Sequence, residues 1–346
     1  MRDRASAGAG GQKVRWGALL VVTVVVLVAA GVYAVGAYQR FEDSRTAASS
    51  VGTSAGVKLP GAPFVLFRNT ASGQGYGNAA TVPLSDPGGT RAISGQECDR
   101  VYGSPEQVVC LRTNRGLVTS FEAKVFDHDW EQQRAWPLPG IPSRTRISPD
   151  GSMIATTVFV TGHSYATAGF STATEISLPG GTTGNLEDFA LLVNGERLQA
   201  TDRNIWGVTF APGQADAFYA TAAASGRIWL VRGSLSAKTL TAVHDNVECP
   251  SISPDGTRIA YKKNDGGALA AHWNVAVLDL ASGRETVLGE KRSVDDQIEW
   301  LDDRNLLYGL PDESSDGDSN IWKLGTDAGA QPSVFIAHGW SPSVVR

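Results

Sequence analysis

Cysteine is scarce. The 346 residues contain three, Cys98, Cys110 and Cys249, with no C-x-x-C pair among them, which argues against a zinc site. Charge is thin as well, at 19% of residues. Of the 30 basic residues only 8 are lysine and 22 are arginine, a bias typical of a GC-rich bacterial genome. No basic stripe with interleaved aromatics occurs. The net charge is −5, of which the first 15 residues carry +3, so the remainder carries −8. An acidic body does not suit nucleic acid, whose phosphates require a basic face. Catalytic signatures are missing too: there is no G-x-S-x-G elbow, no H-E-x-x-H helix and no phosphate-cradling loop leading into a helix. Gly73-Gln74-Gly75-Tyr76-Gly77 is glycine-rich but lies between strands, where no helix dipole can hold phosphate, and reads as a hairpin loop. Asp127-His128-Asp129, a His–carboxylate cluster at a strand end, reads as a solvated turn. No catalytic residue and no cofactor is assigned.

What is present begins with an uncharged run from Trp16 to Tyr38, centred on Leu19-Leu20-Val21-Val22-Thr23-Val24-Val25-Val26-Leu27-Val28. At ~1.5 Å per residue, about 22 helical residues cover ~33 Å, enough for a hydrocarbon core of ~30 Å. Valine is a mediocre helix former in water, but in lipid the backbone must satisfy itself and helix wins. Trp16, Tyr33 and Tyr38 suit interfacial anchoring. A cleaved signal peptide has a shorter apolar core, usually about 7–15 residues, so an uncleaved single-pass anchor is expected. The basic flank places residues 1–15 in the cytoplasm and the rest outside a bacterial plasma membrane. Residues 39–60, rich in Ser, Ala, Thr and Gly, read as a flexible linker.

From Phe64 onward the pattern is strand, turn, strand. Ile147-Ser148-Pro149-Asp150-Gly151 returns as Ile252-Ser253-Pro254-Asp255-Gly256, each followed by a strand-like apolar run. Weaker copies stand at Gly103-Ser104-Pro105-Glu106, Phe210-Ala211-Pro212-Gly213 and Trp300-Leu301-Asp302-Asp303. Later strands repeat as Arg227-Ile228-Trp229-Leu230-Val231, Asn274-Val275-Ala276-Val277-Leu278 and Asn320-Ile321-Trp322-Lys323-Leu324. A period of ~40–50 residues with four strands per unit marks a β-propeller. The first unit lacks an inner strand, and Gly339-Trp340-Ser341-Pro342-Ser343-Val344-Val345 can supply it. Closing the ring with the two chain ends would remove exposed sheet edges. The expectation is therefore an all-β, six-bladed β-propeller over residues 61–346, preceded by a single transmembrane helix over 16–38. The blades fall near 64–94 with 338–346, 98–139, 141–200, 203–244, 247–289 and 293–337. The extra residues of 141–200 leave five or seven blades open, and its Gly180-Gly181-Thr182-Thr183-Gly184 insert reads as a loop.

The Ser-Pro-Asp-Gly turn, with its Ile-Ala-Tyr strand and its Asn-Val-Ala-Val-Leu-Asp-Leu strand, resembles the WD-like repeats of TolB-type propellers over roughly residues 60–346. The resemblance implies an envelope propeller acting as a protein-binding scaffold. The chain departs from TolB in having a membrane anchor and no room for a preceding α/β domain, so TolB's own partners are not carried over.

Cys98 and Cys110 bracket the Ser104-Pro105-Glu106 turn and are expected to form a disulfide in an oxidising compartment. Two buried thiols are the alternative. Cys249, in the opposite blade, is too far away to pair. Asp316, Asp318 and Asn320 match the start of a calcium loop, but Ile321 stands where the glycine is needed. Hydration of a hairpin tip explains the run equally well. Trp206, Trp229, Trp300 and Trp322 read mostly as packing residues. The functional expectation is a monomeric, membrane-anchored, non-enzymatic scaffold for an envelope protein or polymer. The alternative is a glycan-active hydrolase or lyase with carboxylates in the central channel, for which the inner-strand candidates are Glu97, Glu248 and Glu299.

Overall fold

The computed structural model describes residues 9–116, 118–160, 171–266, 271–315, 317–327 and 329–346. Two compact units emerge, residues 1–49 with 72–74, and residues 50–71 with 75–346.

The first unit is built on the helix Ala9–Thr46. Its segment Arg15–Gln39, 25 residues long, has the length and composition of a membrane span. Trp16, Leu20, Val25, Leu27, Tyr33 and Tyr38 are all exposed along it. The Thr23 hydroxyl donates to the Leu19 carbonyl at 2.8 Å, so this polar group is satisfied inside the helix and does not oppose burial in hydrocarbon. The helix continues into the span expected as a linker, through Thr46. Further along that span, Thr53–Ala55 forms a short strand pairing in parallel with Arg91–Glu97.

In the second unit the described residues form six sheets arranged as propeller blades. Blade one runs, from the inside out, Gly339–Val345, Phe64–Asn69, Asn78–Pro83 and Arg91–Glu97. The C-terminal strand pairs antiparallel with the strand at Phe64, with Phe64 opposite Val345. The ring therefore closes through both ends of the propeller sequence. Blades two, three and five each carry four strands starting at Arg100, Ile141 and Glu248, and blade six carries four starting at Glu299. Blade four begins at Asn204 and carries six.

Two boundaries differ from the sequence expectation. Ala190–Val193 and Glu196–Arg197, assigned by sequence to the third blade, extend the outer edge of the fourth. Ala190–Val193 lies parallel to Thr239–Asp245, with Leu191 opposite Leu240. Strand periodicity reports which face is buried but not which neighbour is paired, so this long-range parallel pairing left no mark in the pattern. The Gly180–Gly184 insert is also not wholly a loop. Gly181–Thr182 turns back on Ser177 and Leu178 as the fourth strand of blade three.

The repeated turn has the geometry its residues require. Gly151 and Gly256 both adopt φ of 72°, a left-handed corner open to glycine at little cost. The Ser148 hydroxyl lies 2.5 Å from Asp150 Oδ1 and accepts from the Met153 amide at 2.9 Å. Ser253 repeats both bonds with Asp255 and Arg258, at 2.5 and 3.0 Å. Each turn thus presents its inner strand to the next at a fixed angle.

Apolar burial is divided into slabs between blades. Val65, Phe67 and Val82 of blade one pack on Leu307, Ile321 and Ile336 of blade six. Val109, Leu111 and Val125 of blade two meet Ile147, Ile154 and Val158 of blade three. Ile176 of blade three meets Ile205, Phe218 and Trp229 of blade four, and the remaining junctions repeat the plan. Each fully buried aliphatic or aromatic side chain contributes about 1.5–3 kcal/mol, so the ring is held by its junctions. Trp206, Trp229 and Trp300 are buried in this packing. Trp322 is only partly buried, and the Arg292 guanidinium covers its ring at 3.8 Å.

Candidate functional site: the central channel and its mouths

The inner strands line the channel, and strand register identifies which side chains share a layer. Tyr102, Arg146, Thr209, Ser251, Glu299 and Ser343 pair with Val109, Ala155, Tyr219, Ala260, Leu307 and Leu66. Each partner is the third residue of its own strand, except in blade three, where Ala155 is the second. One residue from each blade therefore contributes to a single ring.

Arg146 organises that ring. Its guanidinium lies 2.8 Å from Glu299 Oε2, donates to Ser251 Oγ at 2.8 Å and to the Ile298 carbonyl at 2.6 Å, and reaches the Tyr102 hydroxyl at 3.1 Å. Glu299 also accepts from the Tyr102 hydroxyl at 3.3 Å and from the Val344 amide at 3.3 Å. The side chains of Arg146 and Glu299 are 6% and 4% exposed. Burial, with the Glu299 charge next to it, pushes the Tyr102 phenol up to about 12, so it remains a neutral donor. The four blades that contribute Tyr102, Arg146, Ser251 and Glu299 are thus joined by one hydrogen-bonded plug, in a low-dielectric setting where such bonds strengthen one another.

Above the plug, on the side of the Ser-Pro turns, lies a cavity of roughly 290 Å³. Its walls mix apolar residues, Pro149, Phe210, Pro254, Trp300 and Val344, with the polar Ser148, Thr209, Ser253 and Arg346, around a floor of Arg146 and Glu299. The prolines come from the repeated turn, which places one residue type around the rim.

Two residues earlier in each blade stand Arg100, Arg144, Gly207, Cys249, Gln297 and Ser341. Here two long cations are matched by small residues. Gly207 has φ of 68°, and a Cβ there would fall 2.8 Å from the Cys249 Cα. Arg100 pairs with Asp296 at 2.6 Å, and Asp296, fully buried, also accepts from the Gly309 amide at 2.9 Å.

The sequence-derived candidates fall as follows. A disulfide joins Cys98 and Cys110, with Cα atoms 5.4 Å apart. Cys98 precedes the strand Arg100–Gly103 instead of lying on it, so the bond ties the blade one–two crossover to the second strand of blade two. Cys249 is a free, buried thiol. Glu97 ends the outer strand of blade one and does not lie on an inner strand. Glu248 accepts from Trp273 Nε1 at 2.9 Å, so the three carboxylates do not converge. Of the calcium-loop residues, Asp318 accepts from the Thr70 hydroxyl at 2.8 Å and lies 2.5 Å from His338 Nδ1. Asn320 accepts from the His338 amide at 3.0 Å. Asp316 is outside the described residues. Among the described residues no group of three or more His, Cys, Asp or Glu side chains is placed to hold a metal. Asp127 Oδ1 accepts from the amides of Asp129 and Glu131 at 2.9 and 3.0 Å, which closes the expected turn.

The sequence reading passed over Tyr102, Arg144, Arg146, Asp295 and Asp296. A signal for one of them existed. Alignment on Ser148-Pro149 and Ser253-Pro254 places Arg146 against Ser251, two residues before the turn, so an arginine takes the place of a serine in the inner strand.

No protein-family model matches this sequence, and no curated protein does. Solved structures do match. TolB from Acinetobacter baumannii aligns with a TM-score of 0.55 at 13% identity, over 84% of this chain and 69% of that one. An oligogalacturonate lyase from Vibrio parahaemolyticus aligns at 0.45 and 10% identity, over 73% of each chain. A functionally unknown protein from Desulfotomaculum acetoxidans aligns at 0.48 and 12%, over 84% of this chain and 89% of that one. What is shared is the fold. At these identities the likeness to TolB does not extend to partners or activity.

Proposed function

We propose that this protein is a single-pass, membrane-anchored β-propeller whose turn-side channel mouth binds a protein segment of the cell envelope. The observation that carries the reading is the state of the channel floor. Arg146 and Glu299 are bonded to each other and to neighbouring blades, while the walls above them are open and mix apolar residues with Ser148, Thr209, Ser253 and Arg346. A cup of roughly 290 Å³ with this mixed lining is at the small end of ligand pockets and suits one or two inserted side chains. A glycan-active channel would need two carboxylates available to substrate, whereas Glu299 is engaged by Arg146 and Glu248 by Trp273. The helix Ala9–Thr46 is the anchor in this reading. The basic residues Arg2, Arg4, Lys13 and Arg15 put its N-terminus in the cytoplasm. A Cys98–Cys110 disulfide suits an oxidising exterior.

Site-specific photo-cross-linking in native cells tests the reading. A cross-linker replacing Ile252 or Pro254 at the mouth should trap a discrete envelope protein. The same group at exposed Val287 or Val334, on outer strands and turned to solvent, should not. Equal capture from both places, or none from the mouth, would remove the mouth as the binding surface.

A further inference from the structure

The opposite end of the channel holds an arrangement that packing alone does not require. Arg144 and Lys262 have side chains only 9% and 3% exposed, and both reach the same oxygen, Oδ1 of Asp295, at 3.5 and 2.6 Å. The Asp295 side chain is 62% exposed. An interior ion pair normally hides both partners, because an unpaired buried charge is costly. Here the cations are buried and the anion stands in solvent. The adjacent Asp296 shows the usual case: it is fully buried and held by Arg100 and the Gly309 amide. Asp295 is held by the two cations alone, both on Oδ1. It sits in the connection between the strands Glu285–Val287 and Glu299–Asp302.

Arg144 Nη1 donates to the neighbouring Ser143 carbonyl at 2.8 Å, its buried Nε has no hydrogen-bond partner, and Cys249 and Asp296 also face its guanidinium. Lys262 lies 4.6 Å over the Trp273 ring, whose Nε1 donates to Glu248. A planar guanidinium and an ammonium converging on one carboxylate oxygen form the donor set of a carboxylate site.

The geometry points to a binding site for a small carboxylate ligand at this mouth, formed by Arg144 and Lys262, with Asp295 as the internal carboxylate that occupies it and swings out when the ligand enters. The site is separate from the turn-side cup and does not depend on its role.

Chemical rescue tests it. In the detergent-solubilised full chain, Asp295→Ala should lower the melting temperature, and acetate should restore it saturably. Acetamide, or chloride at matched ionic strength, should not. Lys262→Met in the Asp295→Ala background should abolish the rescue. The wild type should bind acetate at least tenfold more weakly than Asp295→Ala, because Asp295 competes for the same donors. Asp295→Asn, which keeps the shape, serves if the alanine variant does not fold. Absence of saturable rescue, rescue that survives Lys262→Met, or equal acetate affinity in the wild type would each overturn the proposal. Tighter rescue by inorganic phosphate than by acetate would overturn the assignment to carboxylates.

Discussion

Breaking the Arg146–Glu299 pair is the sharpest test of the channel plug. Arg146→Met keeps the aliphatic volume and deletes the guanidinium. Glu299, 4% exposed, then retains only the Tyr102 hydroxyl at 3.3 and 3.4 Å and the Val344 amide at 3.3 Å. Two donors at these distances do not offset a buried carboxylate, and a loss of about 3–5 kcal/mol is expected. Glu299→Gln should cost less, about 2–3 kcal/mol, because Arg146 keeps Ser251 Oγ and the Ile298 carbonyl. The double variant Arg146→Met/Glu299→Gln buries no charge in the plug. It should therefore be more stable than the sum of the single losses implies, with a coupling of about 2–3 kcal/mol. Each single loss would be a large part of a typical stability of about 5–15 kcal/mol. Urea denaturation of the detergent-solubilised chain, followed by tryptophan fluorescence, reads the transition because Trp300 Nε1 is bonded to the Ser251 carbonyl beside the plug. Additivity of the two changes within about 0.5 kcal/mol would mean that the pair is screened by water, and the dry-plug description would fall.

Three further outcomes follow from the same geometry. Burial, with no partner at Oε1, pushes the Glu187 carboxyl up to about 7, against smaller opposing effects from Asn185 and Arg203. A carboxyl that holds its proton more tightly when folded gives its full stability below about 4.5 and loses it as pH rises to about 7. Discounted for partial exposure, Glu187→Gln should remove roughly 1–3 kcal/mol of this pH-dependent loss, read as a stability gain at pH 8 that vanishes at pH 4. Identical pH–stability curves for variant and wild type would refute it. Replacing Cys98 and Cys110 with serine should cost about 3 kcal/mol by the loop-closure relation for a separation of 12 residues, and reducing agent should then leave the melting temperature of the variant unchanged. Gly207→Ala should cost more than about 2 kcal/mol in the same denaturation assay, because it combines a left-handed φ with a Cβ driven onto the Cys249 backbone. A neutral result would show that the inner strands of blades four and five can spread.

The turns were legible in the sequence because their chemistry is local. Ser148 through Gly151 form a self-contained set of bonds, and Ser253 through Gly256 repeat it, so residue identity alone fixes the geometry. The ring closure was legible for a related reason: an inner strand missing at one end of the repeat array and surplus at the other have only one way to be reconciled without leaving sheet edges exposed. The channel was not legible because its contacts are long-range and chemically unlike one another. Arg146 meets Glu299 across 153 residues and Ser251 across 105, and equivalent positions carry Tyr, Arg, Thr, Ser, Glu and Ser. A repeat is recognised by what stays constant, whereas the ring works through what differs. Six copies of one residue would place six like groups around one axis, where like charges repel and identical donors leave one another unpaired. Divergence at this one layer is what allows the channel to be sealed by mutual hydrogen bonds, while the turns two residues further on stay similar and hold the cup above it in shape.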